Sequence, residues 1–188
     1  MLGRTHLAVG AAGAFLLTGA GLPGIGAAAV GSLLPDLDQE NSLAARAFSS
    51  FGRKTGPAGM VFFGALYWWN TLTHSHIKHQ PALIGLAAVF LAAALTSRHR
   101  TFTHSLLGLA VSAGLVWAVL PKLAASFALG YALHLAADMV SGRVTLLWPN
   151  PIKIGTCLAP TGGMVDLAVR LVSAAYIAAN LIGTKTIL

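Results

Sequence analysis

The sequence predicts an all-α, polytopic α-helical membrane protein that forms a single integral membrane domain. Of its 188 residues, 56% are hydrophobic and only 9% are charged, whereas charged residues make up roughly a quarter of a soluble domain. Several long apolar runs alternate with glycine, proline and polar clusters, which is the pattern of membrane helices joined by short loops. We therefore expect an N-terminal broken hairpin and about five further membrane helices within residues 1–188.

The first apolar segment is expected to form a re-entrant hairpin. Residues 5–19 and 24–34 are apolar arms separated by a glycine-rich turn. One continuous helix would hold His6 about 45 Å from Asp36 at roughly 1.5 Å per residue. Each arm is too short for about 30 Å of hydrocarbon, but a hairpin packed inside protein is permitted. Because the apolar sequence continues to Pro35, we do not expect a cleaved signal sequence here.

The rest of the chain divides into further apolar segments and two longer loops. A polar loop is expected at 36–56, and a long interfacial loop at 141–163. Thr103 is expected to cap a helix whose first turn contains His104. The predicted helices are 58–72, 81–97, 104–120, 122–140 and 165–183.

The basic residues predict which face of the protein is cytoplasmic. In the hairpin topology, the N-terminus shares a face with loops 35–57, 98–103 and 141–164. That face carries eight of the twelve lysine and arginine residues, and the face with loops 73–80 and 121 carries three. Lysine and arginine concentrate in cytoplasmic loops. We therefore expect a multi-pass protein of the cell (inner) membrane with the eight-charge face in the cytoplasm.

Charge and cysteine content narrow the range of partners. A net charge of +7 suggests nucleic acid in a soluble protein, but membrane topology accounts for these residues here. We expect the lipid bilayer as a partner and no nucleic acid. Cys157 is the single cysteine, so an intramolecular disulfide is impossible. The sequence carries no signal for the oligomeric state.

His134 and Asp138 are the first candidate metal ligands. Ionisable groups are costly at membrane depth and usually face a functional cavity. Residues four apart project from the same face of a helix, so one helix can present both side chains to one metal. The alternative is a hydrogen-bonded pair at the helix end.

Asp36 and Asp38 are candidates for a metal ligand and a general base. They follow Pro35, which ends the second arm of the hairpin. One carboxylate can bind or bridge metal while the other accepts a proton. The alternative is that they cap a following helix, which aspartate does well. The sequence leaves their division of roles open.

Residues 98–104 combine imidazole and guanidinium groups. His104 is a candidate ligand, and so is His99, for which the alternative is a solvated loop histidine. Arg98 and Arg100 suit a phosphate group, because guanidinium binds phosphate oxygens bidentately. The alternative for both arginines is that they only set the topology.

Further candidates divide between the two faces. Asp166 begins the last predicted helix on the same face as the residues above, so we consider it as a general base. The cluster His74, His76 and His79 falls on the opposite face, and we interpret it as interfacial. The convergence of histidine and aspartate on one face predicts a single site there.

The combined motifs resemble the YdjM-like family of bacterial membrane-bound metal-dependent hydrolases. The resemblance covers roughly residues 3–170 and includes the early His6. Two departures concern Gln39, where the family often has histidine, and Thr101, where it usually has glycine. The matching strings are Leu33-Leu34-Pro35-Asp36-Leu37-Asp38, His99-Arg100-Thr101-Phe102-Thr103-His104-Ser105-Leu106-Leu107, Gly130-Tyr131-x-x-His134-x-x-x-Asp138 and Leu147-Trp148-Pro149.

The resemblance implies an inner-membrane protein with a divalent metal, distantly related to zinc-dependent phospholipase C. Zinc is the expected metal, with manganese or another divalent ion as alternatives. We expect metal-activated water to hydrolyse a phosphoester or lipid-linked, amphiphilic substrate at the cytoplasmic face. The expected metal ligands are Asp36, His104, His134, Asp138, His6 and His99, and the expected catalytic residues are Asp38, Asp166, Arg98 and Arg100.

The alternative function is a non-enzymatic membrane transporter or metal-binding module. A transporter should carry polar residues through the middle of several helices. The centres of segments 81–97 and 104–120 are nearly free of them, which favours a site confined to one face.

Overall fold

A computed structural model describes residues 1–38, residue 90 and residues 100–183 of the chain. Within these ranges the protein is helical and has no β-strand, apart from an isolated antiparallel bridge between Val144 and Ile154. Two short 3-10 turns lie at Leu34–Asp38 and Phe102–His104. The five helices with defined bounds are α1 (Gly3–Thr18), α2 (Leu22–Leu33), α3 (Leu106–Val119), α4 (Pro121–Ser141) and α5 (Met164–Gly183).

The broken hairpin predicted for the first apolar segment is present. α1 ends at Gly19, whose φ of 59° is left-handed and suits glycine. α2 begins just after Gly21 with Pro23 in its first turn, where proline's missing N–H costs nothing. The two helices then pack antiparallel to each other. They are so close at Gly10 that a side chain there would collide with Ser32. The chain therefore returns to the level of its own N-terminus.

α4 is the helix around which the hairpin assembles. A Cβ atom on Gly130 would lie 1.9 Å from the carbonyl oxygen of Ala28, and one on Gly31 would lie 2.1 Å from that of Phe127. Glycine at these two positions therefore lets the backbones of α2 and α4 touch. Such close approach is typical of helix pairs in membranes. On its other side, α4 packs Phe127, Tyr131 and Leu135 against α3.

The helix bounds agree closely with the sequence prediction where the structure describes them, but two details differ. Ser105, and not Thr103, caps α3, since its hydroxyl accepts the N–H of Gly108 at 3.0 Å. His104 therefore lies in the 3-10 turn before the helix and not in its first turn. The predicted helices at 58–72 and 81–97 fall outside the described residues.

The described residues support fewer membrane spans than the sequence predicted. Among the described residues, α4 is the one helix that is long and apolar enough to cross a bilayer, and α3 is a shorter apolar helix. The all-helical class is confirmed, whereas an arrangement with about six spans is not.

The loop after α4 folds back over the ends of α3 and α4. The Val144–Ile154 bridge closes it upon itself, and Leu146 accepts the N–H of Leu106 at 2.9 Å. Further on, the N–H of Thr156 donates to the carbonyl of Met139 at 2.7 Å. These bonds hold the loop against the end of α4 that carries the candidate ligands.

Candidate metal centre

Five of the six residues predicted as metal ligands converge in one buried cluster. They come from four elements, because the hairpin and the two 3-10 turns meet the last turns of α4. Each is at most 6% exposed. Two sets of three ligand atoms lie within 4.8 Å of one another, namely His6, Asp36 and His134, and His104, His134 and Asp138.

The distances around Asp138 suit a small cation. Its Oδ2 lies 3.4 Å from Nε2 of His104 and 3.9 Å from Nε2 of His134. The two Nε2 atoms are 3.2 Å apart. Tetrahedral zinc with bonds of roughly 2.0–2.1 Å separates its ligand atoms by about 3.3–3.4 Å. The cluster is therefore close to that spacing without rearrangement.

Asp36 and His6 complete the cluster from the hairpin side. Oδ1 of Asp36 lies 3.6 Å from Nε2 of His104 and 3.7 Å from Nε2 of His134. His6 stacks on the His134 ring with centroids 3.7 Å apart, and its Nε2 lies 3.2 Å from Oδ1 of Asp138. Without the chain reversal at Gly19, His6 and Asp36 could not both reach the same end of α4.

The orientation of His134 is set by the backbone of α2. Its Nδ1 lies 2.7 Å from the carbonyl oxygen of Ser32. A carbonyl can only accept, so Nδ1 carries the proton and a neutral ring directs the lone pair of Nε2 into the cluster. Metal-binding histidines characteristically donate their other ring N–H in this way. His134 is thus oriented as a ligand.

The ring nitrogens of His104 can form hydrogen bonds in two ways, one for each position of the ring proton. Its Nδ1 lies 3.1 Å from the Thr103 hydroxyl, which can donate or accept. When the Nε2 of His104 is protonated, it donates to Nε2 of His134. When Nδ1 donates to Thr103 instead, both Nε2 lone pairs face the cluster, which is favourable only with a cation between them.

His6 provides a direct test of whether the cluster fits a metal. Both of its ring nitrogens are buried and make no hydrogen bond of regular geometry. Leaving a buried polar group unsatisfied costs about 1–3 kcal/mol. The donor set of three imidazoles and two carboxylates is that of zinc and related divalent metals. The residues present therefore fit a divalent metal.

The carboxyl group of Asp36 is held in its ionised form. Burial acts to raise its pKa, but the polar contacts with His104, His134 and His6 outweigh burial and hold the pKa below its ordinary value of 3.8. An ionised carboxylate is the form that binds metal.

Arg100 reaches Asp138 from the loop side. Its Nε lies 3.3 Å from Oδ2 of Asp138. Arg100 adopts a left-handed φ of 65°, and its carbonyl accepts the N–H and hydroxyl of Thr145 at 3.2 and 2.8 Å. Its guanidinium lies over Gly142, where an added Cβ atom would come within 2.1 Å of Nη1. Ser141 and the Met1 ammonium also contact Asp138.

Asp166 lies in a different set of contacts. It is fully buried, and its Oδ2 accepts the backbone N–H groups of Gly162 and Leu2 at 2.8 and 3.2 Å. It belongs to neither of the two ligand sets. These bonds tie the beginning of α5 to the beginning of α1, the helix that carries His6.

The other predicted site residues are less fully described. Asp38 ends the first 3-10 turn, two residues after Asp36. Arg98 and His99 lie outside the described residues, as do His74, His76 and His79, so their assignments stay predictions. Sequence reasoning did not identify Ser32, Gly142 or Thr145, because each acts through a neighbour distant in sequence.

A family model for YdjM inner membrane proteins matches residues 1–187. The chain belongs to this family. Membership confirms the resemblance drawn from the motifs and supports an inner-membrane location. Comparisons with curated proteins and with solved structures find no match.

Proposed function

We propose that this YdjM-family protein is a membrane-bound, metal-dependent hydrolase that acts on phosphoesters. The buried cluster of three histidines and two aspartates carries the proposal. Burying so many ionisable groups is costly unless they are paired or hold a metal. A divalent metal held there would supply Lewis-acid activation of water.

The charge of the cluster favours an anionic substrate. Asp36 and Asp138 contribute two negative charges, which a divalent metal would balance. Arg100 and the Met1 ammonium each add a positive charge beside Asp138, so the loaded site would carry a net positive charge. Phosphate esters carry the complementary charge, and Arg100 and Arg98 are the proposed groups that bind their oxygens.

The proposed general base is one of two carboxylates. Asp38 lies two residues from Asp36 in the same 3-10 turn. Asp166 belongs to neither set of ligand atoms, so it is less well placed to take a proton from a metal-activated water. Asp38 is therefore the preferred base, and a lipid-linked or other amphiphilic phosphoester at the cytoplasmic face is the proposed substrate.

A metal analysis paired with a hydrolysis panel tests this proposal. Purified protein should contain a stoichiometric divalent metal and hydrolyse at least one of a phosphomonoester, a phosphodiester and a phospholipid. EDTA should abolish hydrolysis, and zinc or manganese should restore it. His134→Ala should lose both metal and activity.

Two outcomes would contradict the hydrolase proposal in different ways. Protein that binds metal through His134 but hydrolyses none of these substrates would favour the metal-binding module or transporter. If protein without metal still hydrolyses a phosphoester, the cluster is not the catalytic site as a metal centre.

A further inference from the structure

A groove lies on the outer side of α4, next to the candidate metal centre. Its walls come from α3, α4 and the loop after α4, and its volume is about 610 Å³. Cavities that bind small ligands typically measure roughly 300–1,000 Å³. The residues that line its walls include Leu109, Leu135, Met139, Leu146, Ile154 and Thr156.

The groove lining selects for hydrocarbon. Of the lining residues in the described part of the chain, Thr156 is the one with a polar side chain. Its hydroxyl lies 3.4 Å from the carbonyls of Met139 and Val140, so it is directed to the backbone of α4. A polar ligand placed in the groove would therefore lose its hydration without gaining hydrogen bonds.

The setting of the groove identifies the source of hydrocarbon. The protein belongs to an inner-membrane family, and α4 is long and apolar enough to span a bilayer. Two groove residues, Leu106 and Val140, are exposed on the outside of the protein. Among the described residues, none covers this side of the groove, so within a bilayer it would open onto lipid chains.

Two exposed cationic residues lie on the two chain segments that border one end of the groove. The bridge between Val144 and Ile154 places the two chain segments side by side. Arg143 and Lys153 each precede one bridge partner, and both are exposed. The backbone of Arg143 lies against Gly155, a groove residue, since a Cβ atom added there would be 2.9 Å from Cα of Arg143.

We propose that the groove binds one acyl chain of an anionic membrane lipid, with the lipid phosphate at Arg143 and Lys153. The apolar walls select the chain, and the two cations select the headgroup. Binding of this lipid does not require that the protein be a hydrolase.

The bound lipid would lie at the depth of the metal centre. Leu135 and Met139 each follow a candidate ligand, His134 and Asp138, by one residue. Successive residues point about 100° apart around a helix. The groove and the cluster are thus neighbouring faces of the same two turns of α4.

Native mass spectrometry after reconstitution tests the lipid site. Protein would be taken from vesicles of phosphatidylglycerol and phosphatidylcholine in equal amounts, and the retained lipids counted. We expect one phosphatidylglycerol to be retained preferentially. Ala136→Trp fills the groove at an exposed lining residue and should reduce retention at least tenfold. The control Ala125→Trp, at an exposed alanine on the same helix, should retain lipid normally.

A charge variant separates chain binding from headgroup binding. The double substitution Arg143→Gln with Lys153→Gln should lower the preference for phosphatidylglycerol by about fivefold per charge while leaving chain retention in place. Equal retention of both lipids by the native protein, or unchanged retention by Ala136→Trp, would overturn the proposal. Circular dichroism of each variant confirms that its helices are intact.

Discussion

At the residue scale, His134 links the fold to the site. Its Nδ1 bonds to the carbonyl of Ser32 at 2.7 Å, one of the last carbonyls of α2 that have no partner within their own helix. The same ring directs Nε2 into the cluster. A single imidazole therefore both completes the end of α2 and presents a ligand atom.

The first prediction concerns metal content. His134→Ala and Asp138→Ala should each lower metal affinity by at least 10–100-fold, since loss of a supporting residue alone typically costs that much. Metal analysis of purified protein measures the effect. His76→Ala is the control and should retain metal, because we predict His76 on the opposite face. Metal lost from the control but kept by the other two variants would exclude this site.

The second prediction concerns pH. The pKa of Asp36 is lowered on folding, so its carboxylate contributes stability above the unfolded-state value and loses it as pH falls through the folded-state value. In EDTA, the wild type should melt at a higher temperature than Asp36→Asn at pH 6. This difference should shrink as pH falls below 3.8. A difference that grows in acid would contradict the assigned shift.

At the element scale, the contact between α2 and α4 holds the two halves of the site together. Gly31 and Gly130 allow the helices to touch through their backbones. Asp36 follows α2 by three residues, and His134 follows Gly130 by four. The spacing of these helices therefore sets the spacing of the ligand atoms.

The third prediction concerns this contact. Gly130→Ala places a methyl group against the carbonyl of Ala28 and should destabilise the protein by about 1–3 kcal/mol. It should also weaken metal binding, because the helices must separate. Gly114→Ala on α3 is the control: nothing lies within 4 Å of its added Cβ, so stability should stay the same or rise by up to about 1 kcal/mol. Thermal unfolding in detergent compares the two, and equal melting temperatures would exclude a tight contact.

Local sequence patterns predicted where the helices lie better than they predicted which residues contact one another in the folded chain. The glycines and Pro23 indicated the hairpin, and the four-residue spacing placed His134 and Asp138 on one face. Nothing local distinguishes Ser105 from Thr103 as a cap, since both hydroxyls suit that role. The contact of Arg100 with Asp138 requires that Gly142 have no side chain. Only folding brings Arg100 next to Gly142, so no local pattern indicates this contact.

At the scale of the whole molecule, the topology stays a prediction. The loop that joins α4 to α5 carries Cys157, which is exposed and is the single cysteine of the chain. Labelling of the native Cys157 therefore reports on which side of the membrane this loop lies. No engineered cysteine is needed on this loop.

The fourth prediction concerns the orientation of that loop. In intact cells, Cys157 should resist a membrane-impermeant maleimide, because the positive-inside rule places the loop in the cytoplasm. Inverted vesicles should expose it to the same reagent. Cys157→Ser is the blank for both preparations. Labelling of Cys157 from outside intact cells would reverse the proposed topology.

The hairpin also has a consequence for how the protein is made. His6 and Asp36 leave the ribosome 128 and 98 residues before His134, which is their shared neighbour in the cluster. Until α4 follows, these ionisable groups have no α4 partner, and hydrocarbon disfavours them. The nascent hairpin would therefore stay at the membrane surface until α4 is synthesised, and it would insert into the bilayer together with α4.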